Sequence, residues 1–214
     1  MLRSTVLLAV LTLLGSAPSL AQNWNETGDA PHLPPGQATV GGGPLMQING
    51  NLALPNDVDL FAIHIGNPGA FQAQVAGGTL DSQLFLFTPS GVGIAHNDNQ
   101  GPGMPASRLT GAFVPAPGTY LLAVSAFDRD PINPANQPIW NDNPRDQQRP
   151  PDGPGAPGPL QSWGGNSPPG PYTIALNGAT FSNPPPPQIT QHPAWQPVQV
   201  GGIAAFGAQA IGTP

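Results

Sequence analysis

Between residues 45 and 179 the chain is a succession of short apolar runs closed by turn residues, with no amphipathic pattern of helical length among them. That feature argues against parallel α/β folds and helical bundles, because both need helices long enough to cover a sheet or one another. Eight strands are predicted, at 45–54, 59–65, 70–76, 82–88, 92–97, 107–114, 119–126 and 171–179. In the second, Phe61, Ile63 and Ile65 share one face, and in the last Tyr172, Ile174 and Leu176 do the same, so these faces are expected to form the core. Glycine (28) and proline (31) reach a level that by itself suggests disorder. Here they fall between the runs, in turns such as "NPG" and "PAPGT", which favours two packed antiparallel sheets. The predicted fold is all-β, an antiparallel β-sandwich of about eight strands.

The ends of this region set the domain boundaries. Residues 1–21 begin with Arg3, run through "VLLAVLTLLG" and close on "SAPSLAQ", where Ser19 and Ala21 suit a signal peptidase; this is the pattern of a secretory signal peptide cleaved near Ala21. No second apolar run approaches the roughly 20 residues of a spanning helix. The mature chain is therefore expected to be secreted or placed in the cell envelope, without a transmembrane segment. Residues 22–44 are predicted to be an extended N-terminal segment and 45–182 the sandwich, with a Pro-rich loop insertion at 127–169 too long for a turn; such loops are usually functional or disordered. "NPPPP" at 183–187 has the composition of a stiff proline linker to residues 188–214.

Charge narrows the chemistry. Only 7% of residues are charged, the net charge is −6, the acids are ten Asp and one Glu, and every basic residue is Arg. Nucleic acid is excluded as a partner, since neutralising phosphates takes a basic stripe and these arginines are scattered. With no cysteine in an exported chain, the fold must rest on apolar burial, with a metal ion as the remaining staple. Asp57, Asp59, Asp81, Asn97, Asp98 and Asn99 lie at predicted strand starts and in one loop, and calcium takes six to eight oxygens of this kind. The same residues equally suit turns, where Asp and Asn side chains accept from nearby backbone N–H groups. Neither a twelve-residue calcium loop nor a glycine–aspartate nonapeptide repeat is present, so both readings stay open. Asp128, Asp130, Asp142 and Asp146 are expected to be solvated loop charge interleaved with Arg129 and Arg145.

Catalytic signatures are missing. His64 and His96 have no accompanying zinc motif, and Ser125, Ser162 and Ser167 lack a Gly-x-Ser-x-Gly setting. Trp140 and Trp163, inside the insertion, are candidate ligand-binding rings for sugars or peptides, or else anchors that pin the insertion to the sandwich. The expectation is a non-catalytic module, the alternative a secreted hydrolase or an accessory domain of one.

The order "DVDLFAIHI", "TLDSQLFLFTPSGVGIAHNDN", "LTGAFVPAPGTYLLAVSA", "GPYTIAL", from about Leu45 to Ala179, resembles the bacterial pre-peptidase C-terminal domain family. The resemblance implies a jelly-roll-like β-sandwich, a non-catalytic module of secreted bacterial enzymes and surface proteins, some of whose relatives bind calcium and some collagen or polysaccharide. For this chain it implies adhesion or ligand binding through loops, with an extracellular polysaccharide or protein as partner and Ca2+ as the ion. The chain departs from that pattern in the 127–169 insertion and in lacking an attached catalytic domain. The stretch "PPQITQHPAWQPVQVGGIAAFGAQAIGTP" resembles the opening strands of bacterial immunoglobulin-like repeats, with a "GG" turn before a strand ending in "GTP". Such a domain needs about seven strands. Residues 188–214 are accordingly expected to be a partial immunoglobulin-like segment, a loosely docked tail, in a shortened version of a longer protein.

Overall fold

The computed structural model describes residues 22–77 and 80–183, together with 188–191, 197, 201–202 and 206–211. Residues 1–21, expected to be a signal peptide, and residues 184–187 of the expected linker lie outside the described residues. In chain order the strands are β1 (Gln22–Asn25), β2 (Gln37–Ala38), β3 (Leu45–Leu52), β4 (Val58–Ile65), β5 (Gln72–Val75), β6 (Ser82–Phe87), β7 (Gly93–Asn97), β8 (Arg108–Thr110), β9 (Gly118–Ala126), β10 (Asp130–Ile132), β11 (Ser162–Gly164), β12 (Gly170–Asn177), β13 (Ala179–Phe181), β14 (Gln188–Gln191) and β15 (Gln209–Ile211). One sheet has the order β1-β3-β12-β5-β8, the other β13-β4-β9-β6-β7 with β2 also paired to β4. Apart from the parallel pairs β1–β3 and β2–β4, the neighbours in both sheets are antiparallel. The molecule is an all-β sandwich, and all eight predicted strands are present.

Period-two alternation builds the interior. Ile48 and Leu52 of β3 and Tyr172, Ile174 and Leu176 of β12 face Phe61, Ile63 and Ile65 of β4, with Leu84, Leu86 and Leu122, in one buried cluster. The second sheet is also buried on its other face. Val58, Leu60, Phe85, Phe87, Leu121 and Ala123 point away from the first sheet and pack on Ile139, Trp140, Leu160 and Trp163. Strands buried on both faces read as continuous apolar runs, which is why "SQLFLF" is buried at every position.

The partner of that outer face is the 127–169 insertion, which is a third layer and not a free loop. Its ends are closed by β10 against β11, Asp130 opposite Gly164 and Ile132 opposite Ser162. Its middle is tied to β7 and the turn before it by the bridges His96–Arg149 and Val92–Pro159. Trp140 lies so close over β7 that a side chain at Gly93 would meet its ring at 2.6 Å, so glycine there is a packing requirement.

Residues 22–44 belong to the sandwich. β1 extends the first sheet and β2 the second, so the segment between them crosses one end of the sandwich and binds both layers. Backbone bonds from Glu26 N–H to the Asn49 carbonyl (2.8 Å) and from Leu60 N–H to the Pro31 carbonyl (3.2 Å) fix the crossing. The body also continues to Asn183, whose N–H donates to Thr39. Among the described residues no helix is long and apolar enough to cross a membrane.

Beyond the linker, β14 and β15 pair with each other, Gln188 opposite Ile211, and among the described residues with neither large sheet. Ending the chain at Asn183 is therefore expected to leave the melting temperature of the sandwich within about 1 °C, as when few contacts cross a boundary. A loss of several degrees in a thermal melt would show that residues beyond 183 stabilise the sandwich.

Candidate metal centre

Where the N-terminal crossing passes the start of β4, three carboxylates converge. Oxygens of Glu26, Asp29 and Asp59 all lie within 4.8 Å of one another. Asp59 shares the inward parity of Phe61 and Ile63 and is fully buried (0% exposed), Glu26 is half-buried and Asp29 exposed. Glu26 is held by two backbone donors, Ala30 N–H to Oε1 and Asn51 N–H to Oε2, both 2.9 Å. The turn after it uses Gly28 at a φ of +69°. Asp59 Oδ2 accepts from the Tyr172 hydroxyl at 2.6 Å. Gly50 opposite Tyr172 makes room for this pair, because a Cβ there would run into the hydroxyl and the Glu26 carboxylate.

The other Asp59 oxygen, Oδ1, is buried without a hydrogen-bond partner. Burial pushes the Asp59 carboxyl up to about 8; the Tyr172 bond works against this, and the charges of Glu26, Asp57 and Asp29 add to it. Burial and the facing Asp59 likewise raise the Tyr172 phenol, which stays a neutral donor. A buried carboxylate oxygen without a donor is costly, and two things relieve it: a proton on Asp59, or a cation shared with Glu26 and Asp29. Three converging hard oxygens suit a divalent cation such as calcium, whose remaining positions water and backbone carbonyls fill.

The six residues that composition singled out do not form one site. Asp57 is a turn cap: its Oδ2 accepts from Ala53 N–H (2.6 Å) and its Oδ1 from Val58 N–H (2.8 Å). Asn97, Asp98 and Asn99 lie at the far side of the second sheet, with β9 and β6 between β4 and β7, about 14 Å away at ordinary strand spacing, and Asp81 leads into β6, with β9 between it and β4. Asp98 also follows the parity of His96, which stacks on Phe85 of the outer face, whereas Asp59 faces inward. Asn97 is structural, its Oδ1 accepting from Arg108 N–H (2.8 Å) and its Nδ2 donating to the Asn99 carbonyl (2.7 Å). Asn99 in turn donates its N–H to the Arg145 carbonyl at 2.9 Å.

Asp98 instead joins a second acidic group. It is 2% exposed, and burial, then the charge of Asp81, pushes it up to about 7, against Arg145 at 3.9 Å. Burial raises Asp81 too. Asp130 accepts from Gln83 Nε2 at 3.2 Å and is pushed up to about 6, chiefly by burial. Asp130 is thus a fastening of the third layer, where solvated loop charge was expected; Asp128, Asp142, Asp146 and Arg145 are exposed, and Arg145 stacks over Phe127.

Trp140 and Trp163 offer no ring face to a ligand. They are 3% and 8% exposed and pack edge-on or tilted against Phe85 and Phe87 at 5.4–6.2 Å between ring centres. Trp163 Nε1 donates to the His32 carbonyl at 2.7 Å, tying the N-terminal crossing to the third layer. His96 is sandwiched in the same cluster, and burial holds it far down, near 3, as a neutral ring.

No family model matches the chain, and no curated protein is similar to it. The site therefore stands on its geometry. Sequence reasoning found Asp59 but missed Glu26 and Asp29, which lie far from it along the chain and outside the predicted sandwich. One signal was available: Glu26 is the sole glutamate, and it sits three residues from an aspartate.

Proposed function

We propose that this protein is a secreted or envelope-bound, non-catalytic β-sandwich module that binds an extracellular partner, and that Ca2+ held by Glu26, Asp29 and Asp59 locks its N-terminal crossing across both sheets. The observation that carries the reading is Asp59 Oδ1, buried and without a donor, converging with two further carboxylates. Support also comes from the position of the cluster. It sits where residues 22–38 pass from the first sheet to the second, so an ion there joins segments that only tertiary structure brings together. The ordered likeness to the pre-peptidase C-terminal domain family, and through it the jelly-roll-like topology, fits the same role, as does the signal-like leader.

Calcium titration followed by thermal melting tests the reading. At about a hundred times its dissociation constant, an ion that binds only the folded state adds roughly 2.7 kcal/mol. Asp59→Asn keeps an oxygen for Tyr172 and is expected to abolish the calcium response. Equal melting temperatures in excess calcium and in chelator would remove the metal from the reading.

A further inference from the structure

Five of the ten aspartates gather at the end of the sandwich where β6 begins and the third layer starts. The charges of Asp81 and Asp130 act on Asp98, and those of Asp128 and Asp142 act on Asp130. Arg145 is the counter-charge that Asp81, Asp98 and Asp130 share. The other arginines at this end are committed elsewhere. Arg149 also reaches Asp98 but is paired with Asp152, and Arg129 donates to the Trp163 and Gly165 carbonyls. Arg145 itself stands 3.9 Å from Asp98 Oδ2, too far for a hydrogen bond. Asp98 Oδ1, in a residue 2% exposed, has no hydrogen-bond partner. One arginine therefore serves three acids, and negative charge is left uncompensated.

The same end holds a cavity of about 300 Å³, lined by Leu80, Asp81, Ser167, Pro168, Pro169 and Pro171. Asp81 is exposed on it, and its carboxylate makes no hydrogen bond with the described residues. The walls are fixed by backbone bonds. The Asp81 carbonyl accepts from Phe127 N–H at 2.8 Å, and Ser167 N–H donates to the Pro55 carbonyl at 2.8 Å. Proline rings lock φ and carry no N–H, so the wall they form is stiff, apolar and without donors. The result is an apolar recess with one free carboxylate at its margin, beside a group of acids short of cations.

Geometry and charge select the occupant. Among the described residues, Glu26, Asp29 and Asp59 are the acids whose oxygens converge within 4.8 Å, and the group at this end is too spread out to enclose a single metal ion in that way. Charge spread over several side chains suits cations that are spread likewise. The cavity suits an apolar stem ending in one positive head, which is what lysine and arginine present. A linear polyamine is charged at both ends and would bury one of them among the prolines. We propose that this end of the sandwich binds a basic segment of a partner protein, one Lys or Arg stem lying against the prolines with its head on Asp81. Further cations of the segment lie over Asp128, Asp130 and Asp142 and relieve charge that Arg145 alone does not. The inference rests on the binding-module reading above and names the chemistry of its partner. Burial, then neighbouring acids, raise Asp98 to about 7 and Asp130 to about 6, so the group becomes more negative, and binding tighter, as pH rises from about 6 to 8.

The test uses the mature chain and a fluorescein-labelled peptide of alternating arginine and serine, followed by fluorescence anisotropy at low ionic strength, where surface charges are least screened. The peptide is expected to bind, more tightly at pH 8 than at pH 6, and its citrulline counterpart, similar in shape but uncharged, is not. Asp81→Asn should weaken binding roughly tenfold. It should melt within about 2 °C of the parent, since its side chain holds nothing in the fold. Asp146→Asn removes the same charge from an exposed position outside the group and should change the affinity by less than about twofold. Equal weakening by the two substitutions would mean attraction to the net charge of −6 alone and overturns the site. Binding of the citrulline peptide, no binding of the arginine peptide, or spermine binding as tightly as the peptide and displacing it also overturns the proposal. Each of these leaves the binding module standing. Cleavage of the peptide, read from its mass after incubation, would end the non-catalytic reading itself, whatever the anisotropy shows.

Discussion

Replacing Trp140 by alanine is expected to destabilise the protein by about 3–5 kcal/mol, the range for emptying a buried aromatic site. The ring is held between Phe85, Phe87 and His96, and its face toward β7 is matched to the missing side chain of Gly93. Little can collapse into the space, because the second sheet below it is already packed on both faces. At roughly 2–4 °C per kcal/mol for a domain of this size, the melting temperature should fall by roughly 10 °C. Trp163→Ala should cost a similar amount and in addition loosen the N-terminal crossing, since it removes the donor to the His32 carbonyl. The expected order is opposite to that of a surface sugar platform, where truncation weakens binding and leaves the melt unchanged. A loss below about 1 kcal/mol in a denaturant melt of Trp140→Ala would show that the ring is not part of a core.

The same tryptophans show where sequence pattern stops being informative. Alternation located β4 and β12 with the right residues inward, because period two is written into each strand and needs no knowledge of its neighbours. In "SQLFLF" and "DLFAIHI" apolar residues stand at both parities, which a reading of one face per strand passes over. Two-sided burial follows only if something covers the second face, and in 127–169 the one hint of a cover was Trp140 and Trp163, whose reading as anchors stood beside their reading as ligand-binding rings. That segment keeps its place through backbone bonds at glycines, such as Gly153 N–H to the Ile139 carbonyl and Gly155 N–H to the Pro138 carbonyl, together with a few large side chains. Such contacts have no period.

The candidate metal centre was legible only in part for a related reason. Asp57 and Asp59 are two apart, and composition treated them alike. The fold separates them, because Asp57 turns its oxygens onto the neighbouring backbone while Asp59 points into the sandwich. Glu26 and Asp29 reach Asp59 through the parallel pairing of β1 with β3, a long-range contact with no local signal. β1 is four residues of "QNWN", polar enough to pass for an extended leader. The pairing is what turns an isolated buried aspartate into a candidate cation site.

If Asp59 is the hinge of that site, the metal-free protein should lose stability as pH rises from about 6.5 to 8. Folded, Asp59 keeps its proton to about pH 8, whereas in the unfolded chain it releases it near 3.8. Between those values the native state binds the extra proton, so stability is greatest at the acid end and declines as pH rises, by about 1.4 kcal/mol per pH unit for each fully coupled group. Asp98, raised to about 7, and Asp130, raised to about 6, act in the same direction over shorter windows. His96 opposes them: its folded value is depressed to about 3, so between there and 6.5 the unfolded state takes the proton and stability rises with pH. Above about 6.5 nothing opposes, and between about 7 and 8 Asp59 sets most of the slope, with Asp98 still contributing at the lower end. Calcium should remove that slope, since the ion replaces the proton, and its stabilising effect should grow with pH over this range. Asp59→Asn without metal should keep only the shallow slope that Asp98 leaves near pH 7 and be at least as stable as the parent at pH 8. Melts in chelator at half-unit steps decide the matter. A parent profile already flat from 7 to 8, or a variant that keeps the parent slope, would mean that Asp59 is ionised without a cation and that its buried oxygen needs none to relieve it.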